Sequence, residues 1–379
     1  MILQLGQTQS DPISLILNIF FYVLFIIFML YGTRIQSWRA SKEIELALMD
    51  LRKWNDESKN IVIKKIEKYS DKKLPKKDLR AKIEDFMTFI AIQPTGLDPA
   101  GIVPKFDHLV NVRDERFKEE VKILAPNADS VTSSNLENIL EAAMAIDFVY
   151  RLIRHYLILG KKSKSYLLLM QVQMQLSLVM AMAKSYLHAT RAFAEGSPIG
   201  DGLGPLVVAN LIRDITNKDD IEAIEIAKDT IFQKIDFENR EILLVRARGP
   251  GGTVGKPGEA IKQLVEQHKS EISRIFMIDA GLKLEGDRTG SVVVGVGAAI
   301  GGIGVEKFKI EESSTEVKIP IDAVVCRESL EDAITTMKRP ITRSVPVIIE
   351  KIKQAIRART KAGTKVIVAG IGNTIGVGI

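Results

Sequence analysis

Hydrophobic positions divide this chain into two kinds of texture. Ile13–Tyr31, ISLILNIFFYVLFIIFMLY, runs for 19 residues without a charge, the length a helix needs to cross the hydrocarbon core of a bilayer. Ile35–Tyr69 then contains neither proline nor glycine and predicts a helix leaving the membrane, with Trp38, Leu48, Leu51 and Trp54 as its bulkier apolar residues. Gln93–Pro104, QPTGLDPAGIVP, interrupts the pattern with three prolines and two glycines and predicts a structured loop. Helical periodicity resumes over Ser134–Leu159, where Ser134 and Glu137 have capping-box spacing, and is expected to stop at Gly160. Tyr166–Ala183 is a second uncharged run, of 18 residues. Gln171, Gln173, Gln175 and Ser177 lie in its middle, where unpaired polar groups are costly in hydrocarbon. A buried or helix-pairing segment of the soluble part is therefore expected there, with methionines filling irregular gaps. No sustained heptad marks these helices for a coiled coil.

From Gly196 the apolar runs shorten and become rich in Val and Ile. ILLVRARG (242–249), IFMIDAG (275–281), SVVVGVG (291–297), IPIDAVVC (319–326) and KVIVAGIGN (365–373) read as strands. GEAIKQLVEQHK (258–269), ESLEDAITTM (328–337) and the segment from Ser344 to Gly363 read as helices. Such alternation predicts an α/β domain with a mainly parallel sheet, whose functional groups gather at the carboxyl ends of the strands. The expected organisation is a short outside tail over 1–12, an anchor over 13–31, basic juxtamembrane helices over 34–92, a helical subdomain over 93–195 and the α/β domain over 196–379.

Charge sharpens the membrane reading. The chain carries a formal +6, yet residues 34–82 hold 15 Lys or Arg against 8 Asp or Glu, so the remainder is close to neutral. Met1–Pro12 has no Lys or Arg, which argues against a signal peptide. The basic flank after Tyr31 places the N-terminus outside and the rest in the cytoplasm, anchored once in the cell membrane. The lysine-dense run over 64–82 reads as a solvated helix face, and no aromatic residues interleave with it as nucleic acid binding would need. No nucleic acid partner is expected. The bilayer is the expected partner, with a protein or peptide as the other candidate. Cys326 is the single cysteine, so there is neither an intrachain disulfide nor a thiolate cluster. His155 and His188 sit at the outer ends of the helical hairpin and read as single surface or capping residues rather than a metal pair. The sequence names no cofactor and no oligomeric state.

Candidate chemistry lies in glycine-rich turns. GSPIGDGLGPLVVANL (196–211) holds one acid, Asp201, among Gly200, Gly202 and Gly204. It is either a catalytic carboxylate or the cap of a helix starting near Leu203. GPGGTVGKPG (249–258) stands between a strand and a helix, but Pro250 and Pro257 break the Walker spacing. Gly251, Gly252 and Lys256 remain candidates for holding an anion at that helix start. GVGAAIGGIG (295–304) has GxGxxxG spacing, and its crowded glycines favour loop over helix. Asp279, at the end of IFMIDAG, is the second candidate acid.

KVIVAGIGN (365–373) and PIGDGLGPLVVANLI (198–212) together resemble the opening of the hydrogenase maturation endopeptidases and spore germination proteases. In those families a strand ending in GxGN leads through an acid-bearing loop into the first helix. Here the two halves are separated and reversed, which implies a circularly permuted relative of that phosphorylase/hydrolase-like α/β sandwich. Asp279 matches the position of the families' second acid. The resemblance implies Asp201 and Asp279 as paired catalytic carboxylates, with Asn373 in the loop facing them. The histidine metal ligand of the hydrogenase enzymes has no counterpart after His268. QPTGLDPAGIVPKFDHLV, GSPIGDGLGP and GIGNTIGVGI also resemble an archaeal family of membrane-anchored proteins of unknown function, which implies the architecture and no activity.

Overall fold

A computed structural model describes residues 12–71, 75–97, 101–218, 221–302 and 304–378. The expected outside tail therefore lies outside the described residues except for Pro12, as do three residues, 98–100, of the predicted loop at 93–104. Five helices come first: α1 (Pro12–Tyr69), α2 (Lys76–Phe86), α3 (Ile102–Leu124), α4 (Ser130–Ser163) and α5 (Tyr166–Glu195). The chain forms two compact units, one of residues up to Lys53 with Phe148–Ala181, the other of Trp54–Asp147 with Met182–Ile379.

In the first unit the buried side chains are few and regularly spaced. Ala40, Ile44 and Leu51 are buried on α1, Ile153 and Leu157 on α4, and Leu169 and Leu176 on α5. Steps of four and seven residues are those of a narrow helix–helix seam. The sequence hides this seam because residues off it, such as Leu167, Met174 and Leu178, are equally apolar and yet exposed. Of the two alternatives expected for Tyr166–Ala183, helix pairing is the one seen, with Leu169 and Leu176 in the seam. α5 pairs with its neighbours, but only 17% of its most apolar 18-residue window is buried. By length and composition α5 could cross a membrane, and so could the bent pair Ile13–Met29 and Tyr31–Tyr69.

Two helix boundaries differ from expectation. α4 begins at Ser130, not Ser134, because Asp129 accepts the Thr132 N–H at 2.7 Å and so satisfies one of the free amides of the first turn. Ser134 is then inside the helix, its hydroxyl donating to Ser130 O at 3.1 Å. Nor does α4 stop at Gly160. It continues to Ser163, with Gly160 leaving room for Leu169 to pack closely.

In the second unit a helical cluster is built from Val62 and Ile66 of α1, Leu79 and Ile83 of α2, Val121 of α3 and Leu140 of α4, among others. The α/β part follows a single 3-10 turn, Gly200–Gly202, that leads into α6 (Leu203–Thr216). The remaining elements are β1 (Ile224–Ala227), β2 (Thr230–Phe237), β3 (Arg240–Ala247), α7 (Pro257–His268), β4 (Ile272–Leu282), β5 (Val292–Val296), α8 (Val305–Glu316), β6 (Ile321–Glu328), α9 (Leu330–Ile334), α10 (Arg339–Arg359) and β7 (Lys365–Gly370). The seven strands form one sheet in the order β1-β2-β3-β7-β4-β6-β5. Its centre, β3-β7-β4-β6, is parallel, whereas β1, β2 and β5 join antiparallel at the two sides. The sheet is thus mixed rather than mainly parallel. The strands β1 and β2 escape the sequence pattern because their turns carry no glycine. Glu238 and Asn239 both take positive φ between β2 and β3, the conformation of a two-residue hairpin turn that usually recruits Asn-Gly.

One face of the sheet is covered by α6 and α10 through Val207, Leu211, Ile348 and Ile352. The other is covered by α7 and α8 through Ile261, Leu264 and Ile310. The result is a three-layer α/β/α arrangement with β7 at its centre. α6 lies across β7 so closely that a methyl group at Gly204 would stand 2.5 Å from Ile371 N and 2.7 Å from Ile278 O. Gly204→Ala should therefore destabilise the protein by about 1–3 kcal/mol through overpacking. Gly295→Ala, with open space around it, should cost less than about 0.5 kcal/mol. Urea midpoints of the two variants compared with the parent measure the difference.

Candidate functional site

The loops after the parallel strands place the candidate residues. β7 ends at Gly370, and Ile371 N–H then donates to Ile278 O of β4 at 2.8 Å. Gly372, at φ 133, turns the chain so that the Asn373 N–H donates to Asp201 Oδ2 at 2.8 Å. A side chain at residue 372 would collide with Asp201 O. The Asp201 turn and the last loop are thus one interlocked structure. α6 has Gly202 at its N-cap position and receives no side-chain cap, so Asp201 is not the helix cap. Its carboxylate faces Asn373 instead.

Asp279 lies in β4, buried, with its neighbour Ile278 in register with Gly370. It shares with Asp201 the wall of a cavity of about 490 Å³ that also holds Arg113, Lys256, Gly302 and Gly372. The start of α8 borders this cavity: Glu306 Oε2 accepts the Glu259 N–H of α7 at 3.1 Å, and Ile300, Gly301, Gly302 and Gly304 line the same rim. The glycine-rich stretch from 295 thus begins as the end of β5, and its described residues after Val296 are loop up to Gly304, the N-cap position of α8. That loop follows a strand antiparallel to its neighbour, unlike the parallel βα unit of a dinucleotide fold.

Burial drives the electrostatics. It raises the Asp201 pKa, and the Asn373 amide opposes that rise. The Asp279 pKa rises to about 8, first through burial and then through the charge of Asp201. Glu328, at the end of β6, rises to about 8 for the same two reasons, with the charge of Asp332 adding to them. Glu328 is 1% exposed, and neither carboxyl oxygen finds a hydrogen-bond partner among the described residues. It also presses on the Asp201 turn, since a methyl group at Gly200 would collide with Glu328 Oε2. At Asp332 burial would raise the pKa, but Lys338, Thr289 and Ser329 hold it down at about 2. Like charges in a shared low-dielectric site do not all ionise together. Asp201 and Asp279 each accept a backbone N–H, from Asn373 and from Ala280, which opposes the rise that burial imposes on both. Among the described residues no group of three or more His, Cys, Asp or Glu is placed to hold a metal ion, so these three carboxyls do not form a common ligand set.

The other candidates divide into two groups. Gly200, Gly202 and Gly204 form the tight turn under Asp201. Gly251, Gly252 and Lys256 lie in the loop between β3 and α7. The Gly252 N–H donates to Asn135 Oδ1 at 2.9 Å, and its carbonyl accepts from Asn138 Nδ2 at 2.6 Å. Its amide is thus already spent on α4. Lys256 is the exception: it lines the cavity, and its ammonium lies 3.9 Å from Asp114. Asn373 is held on all sides: its Nδ2 donates to Asn138 Oδ1 at 2.9 Å, and its Oδ1 accepts the Ile375 N–H at 3.0 Å. It contributes to the site through its backbone. His188 pairs with Glu331 at 3.3 Å, and His155 is exposed against Tyr156.

Two residues escape the sequence pattern. Glu328 resembles any polar residue opening a helical ESLED segment, and only its burial reveals it. Glu137, expected as a capping partner, lines an adjoining polar cavity of about 190 Å³ with Lys118, Lys256 and Asn373. Burial lifts its pKa to about 7 against the pull of Lys118.

Residues 18–196 match the description "Protein of unknown function (DUF1512) N-terminal domain", and residues 199–378 match "Domain of unknown function (DUF1512) C-terminal". The chain belongs to the DUF1512 family. No curated protein and no solved structure matches it.

The raised carboxyls tie stability to pH. Asp279 and Glu328 keep their protons in the folded state up to about pH 8, whereas an unfolded chain releases them from about pH 4 upward. Their contribution is full below that pH and is lost as pH rises through about 8. Unfolding free energy should fall between pH 5 and 8, and Glu328→Gln should lessen that slope by about 1.4 kcal/mol per pH unit. Urea titrations across this range test it. An unchanged slope in the variant would assign the proton elsewhere.

Proposed function

We propose that this protein is a membrane-anchored, peptidase-like hydrolase whose α/β domain works in the cytoplasm with Asp201 and Asp279 as paired carboxylates. One observation carries the reading: the two acids line a single cavity at the sheet's carboxyl edge, and the charge of one raises the pKa of the other. With one ionised and the other protonated, the pair is suited to take a proton from an attacking water and to protonate an amide leaving group. Lys256 and Arg113, on the same wall, are suited to hold an anionic part of the substrate or a developing oxyanion. The cavity also fits a simpler role, a scaffold that binds an anion or peptide through these two cations without proton transfer.

The permuted-fold idea belongs to the same proposal. Its support is the hydrogen bond from Asn373 to Asp201 and the packing of α6 on β7, which join the two separated sequence halves. The anchor reading is supported by Ile13–Tyr31, whose residues Ile16, Phe20, Phe25 and Phe28 are all more than half exposed.

Asp201→Asn and Asp279→Asn should each lower cleavage by at least about 100-fold, the scale of a lost acid or base. The assay labels new N-termini in a mixture of membrane and cytosolic proteins incubated with parent or variant, with circular dichroism to check folding. New N-termini that persist unchanged with both variants would remove the catalytic reading and leave the binding one.

A further inference from the structure

We infer that the turn between α4 and α5, together with the first turns of α1 after its apolar run, forms a binding site for anionic phospholipid headgroups. The inference rests on the reading of Ile13–Tyr31 as a membrane anchor and adds a second contact with the same bilayer. It is independent of any catalysis.

The geometry comes from the compact unit formed by residues up to Lys53 and Phe148–Ala181. Tyr166 Oη donates to Gln36 Oε1 at 2.6 Å, Gln173 donates to Glu43, and Lys161 pairs with Glu45. A step of seven residues on α1 thus matches a step of seven on α5, so the two helices run side by side, with α4 returning against them. The α4–α5 turn at Lys164 and Ser165 is therefore level with Gln36, five residues beyond Tyr31. At 1.5 Å per residue that is about 7.5 Å from the end of the apolar run. The headgroup layer on each side of a bilayer is roughly 5–8 Å deep, so the turn lies at headgroup level.

The composition there suits that depth. Residues 31–41 and 158–167 contain Arg34, Arg39, Lys161, Lys162 and Lys164 and no acidic residue. Arg39, Lys162 and Lys164 are exposed and have no ion-pair partner among the described residues. Arg34 lies over the Tyr31 ring at 5.7 Å. Interleaved with these cations are Ile35, Trp38 and Leu167, exposed by 59%, 66% and 65%. Cations mixed with an exposed Trp and aliphatics are what an anionic membrane interface attracts. An acidic protein surface would match the charge, but it would leave Trp38 and Leu167 in water and would not explain why the patch abuts the apolar run.

The test uses the full chain reconstituted into vesicles of phosphatidylcholine alone or with added phosphatidylglycerol, read by amide hydrogen exchange. Peptides covering 158–170 and 33–42 should exchange several-fold more slowly with phosphatidylglycerol, and raised salt should reverse the effect. Lys162→Gln with Lys164→Gln should abolish the slowing at 158–170 and leave exchange in the α/β domain unchanged. Equal exchange in the two lipids would overturn the inference. Slowing that follows protein density rather than lipid charge would also overturn it and assign the patch to a second copy of the chain. Alkaline carbonate extraction separates the two readings. Release of the chain from the vesicles defeats the anchor itself, whereas retention with lipid-insensitive exchange defeats only the headgroup site.

Discussion

The hydrogen bond from the Asn373 amide to the Asp201 carboxylate is the contact on which the candidate site depends. It joins residues 172 apart in sequence, and it forms only because β7 sits in the middle of the sheet with α6 laid across it. Three backbone approaches make room for it, at Gly204, Gly370 and Gly372, each too close to a neighbouring strand or turn to admit a side chain. The same loop carries Ile375 into the helical cluster and ties Thr374 to the carbonyls of Gly251 and Thr253 at 2.7 and 3.0 Å. The final residues thereby connect the sheet, the Asp201 turn, the loop before α7 and the helical layer. A disturbance in any of these reaches Asp201 through one or two hydrogen bonds.

Much of this frame is legible in the sequence, for reasons that differ by element. β3, β4, β5 and β7 announce themselves because short Val- and Ile-rich runs end in glycine, and β6 because its apolar run stands before a helical pattern. The turn at Gly196–Leu211 stands out because its glycines and proline interrupt helical texture. That the last loop meets the first turn could be suspected from the two halves of GxGN and GDGLGP, whose glycines are there to let backbones touch. β1 and β2 stay hidden because their hairpin turns use Glu238, Asn239 and Asp229 in place of glycine. The packed seam of α1, α4 and α5 stays hidden because apolar residues occupy its exposed side as well. Glu328 cannot be recognised from composition at all, since a glutamate before a helix is ordinary and only three-dimensional burial makes it unusual.

Burial also decides which contacts are structural. Gly251, Gly252 and Asn373 look like ligand-binding residues in sequence, yet the Gly251 carbonyl accepts from Thr374 and Thr253, and the polar groups of Gly252 and Asn373 are taken up by Asn135, Asn138 and Ile375. Lys256 looks less promising, because proline follows it where a phosphate loop needs Ser or Thr. It nevertheless lines the cavity, while its own backbone amide is held by Thr230 at 2.6 Å. Secondary structure alone would rank these residues in the opposite order.

The arrangement of charge around Asp201 narrows what the site can do. Asp332 is held near pKa 2 by Lys338, Thr289 and Ser329, so it stays ionised at any pH the protein meets in use. Its fixed charge helps to keep Glu328 neutral whether or not Asp201 is ionised. Glu328 thus lies beneath the Asp201 turn as a third raised carboxyl, coupled to Asp201 as Asp279 is. Asp201 and Asp279 share the cavity, each with a backbone N–H opposing the rise that burial imposes, and the charge of Asp201 adds to the rise at Asp279. A ligand that lowers the negative charge at Asp201, by giving it a proton, also lowers the pKa of Asp279 and eases release of its proton. The two acids are thus coupled in opposite senses, which is the electrical requirement for acid and base working on one substrate.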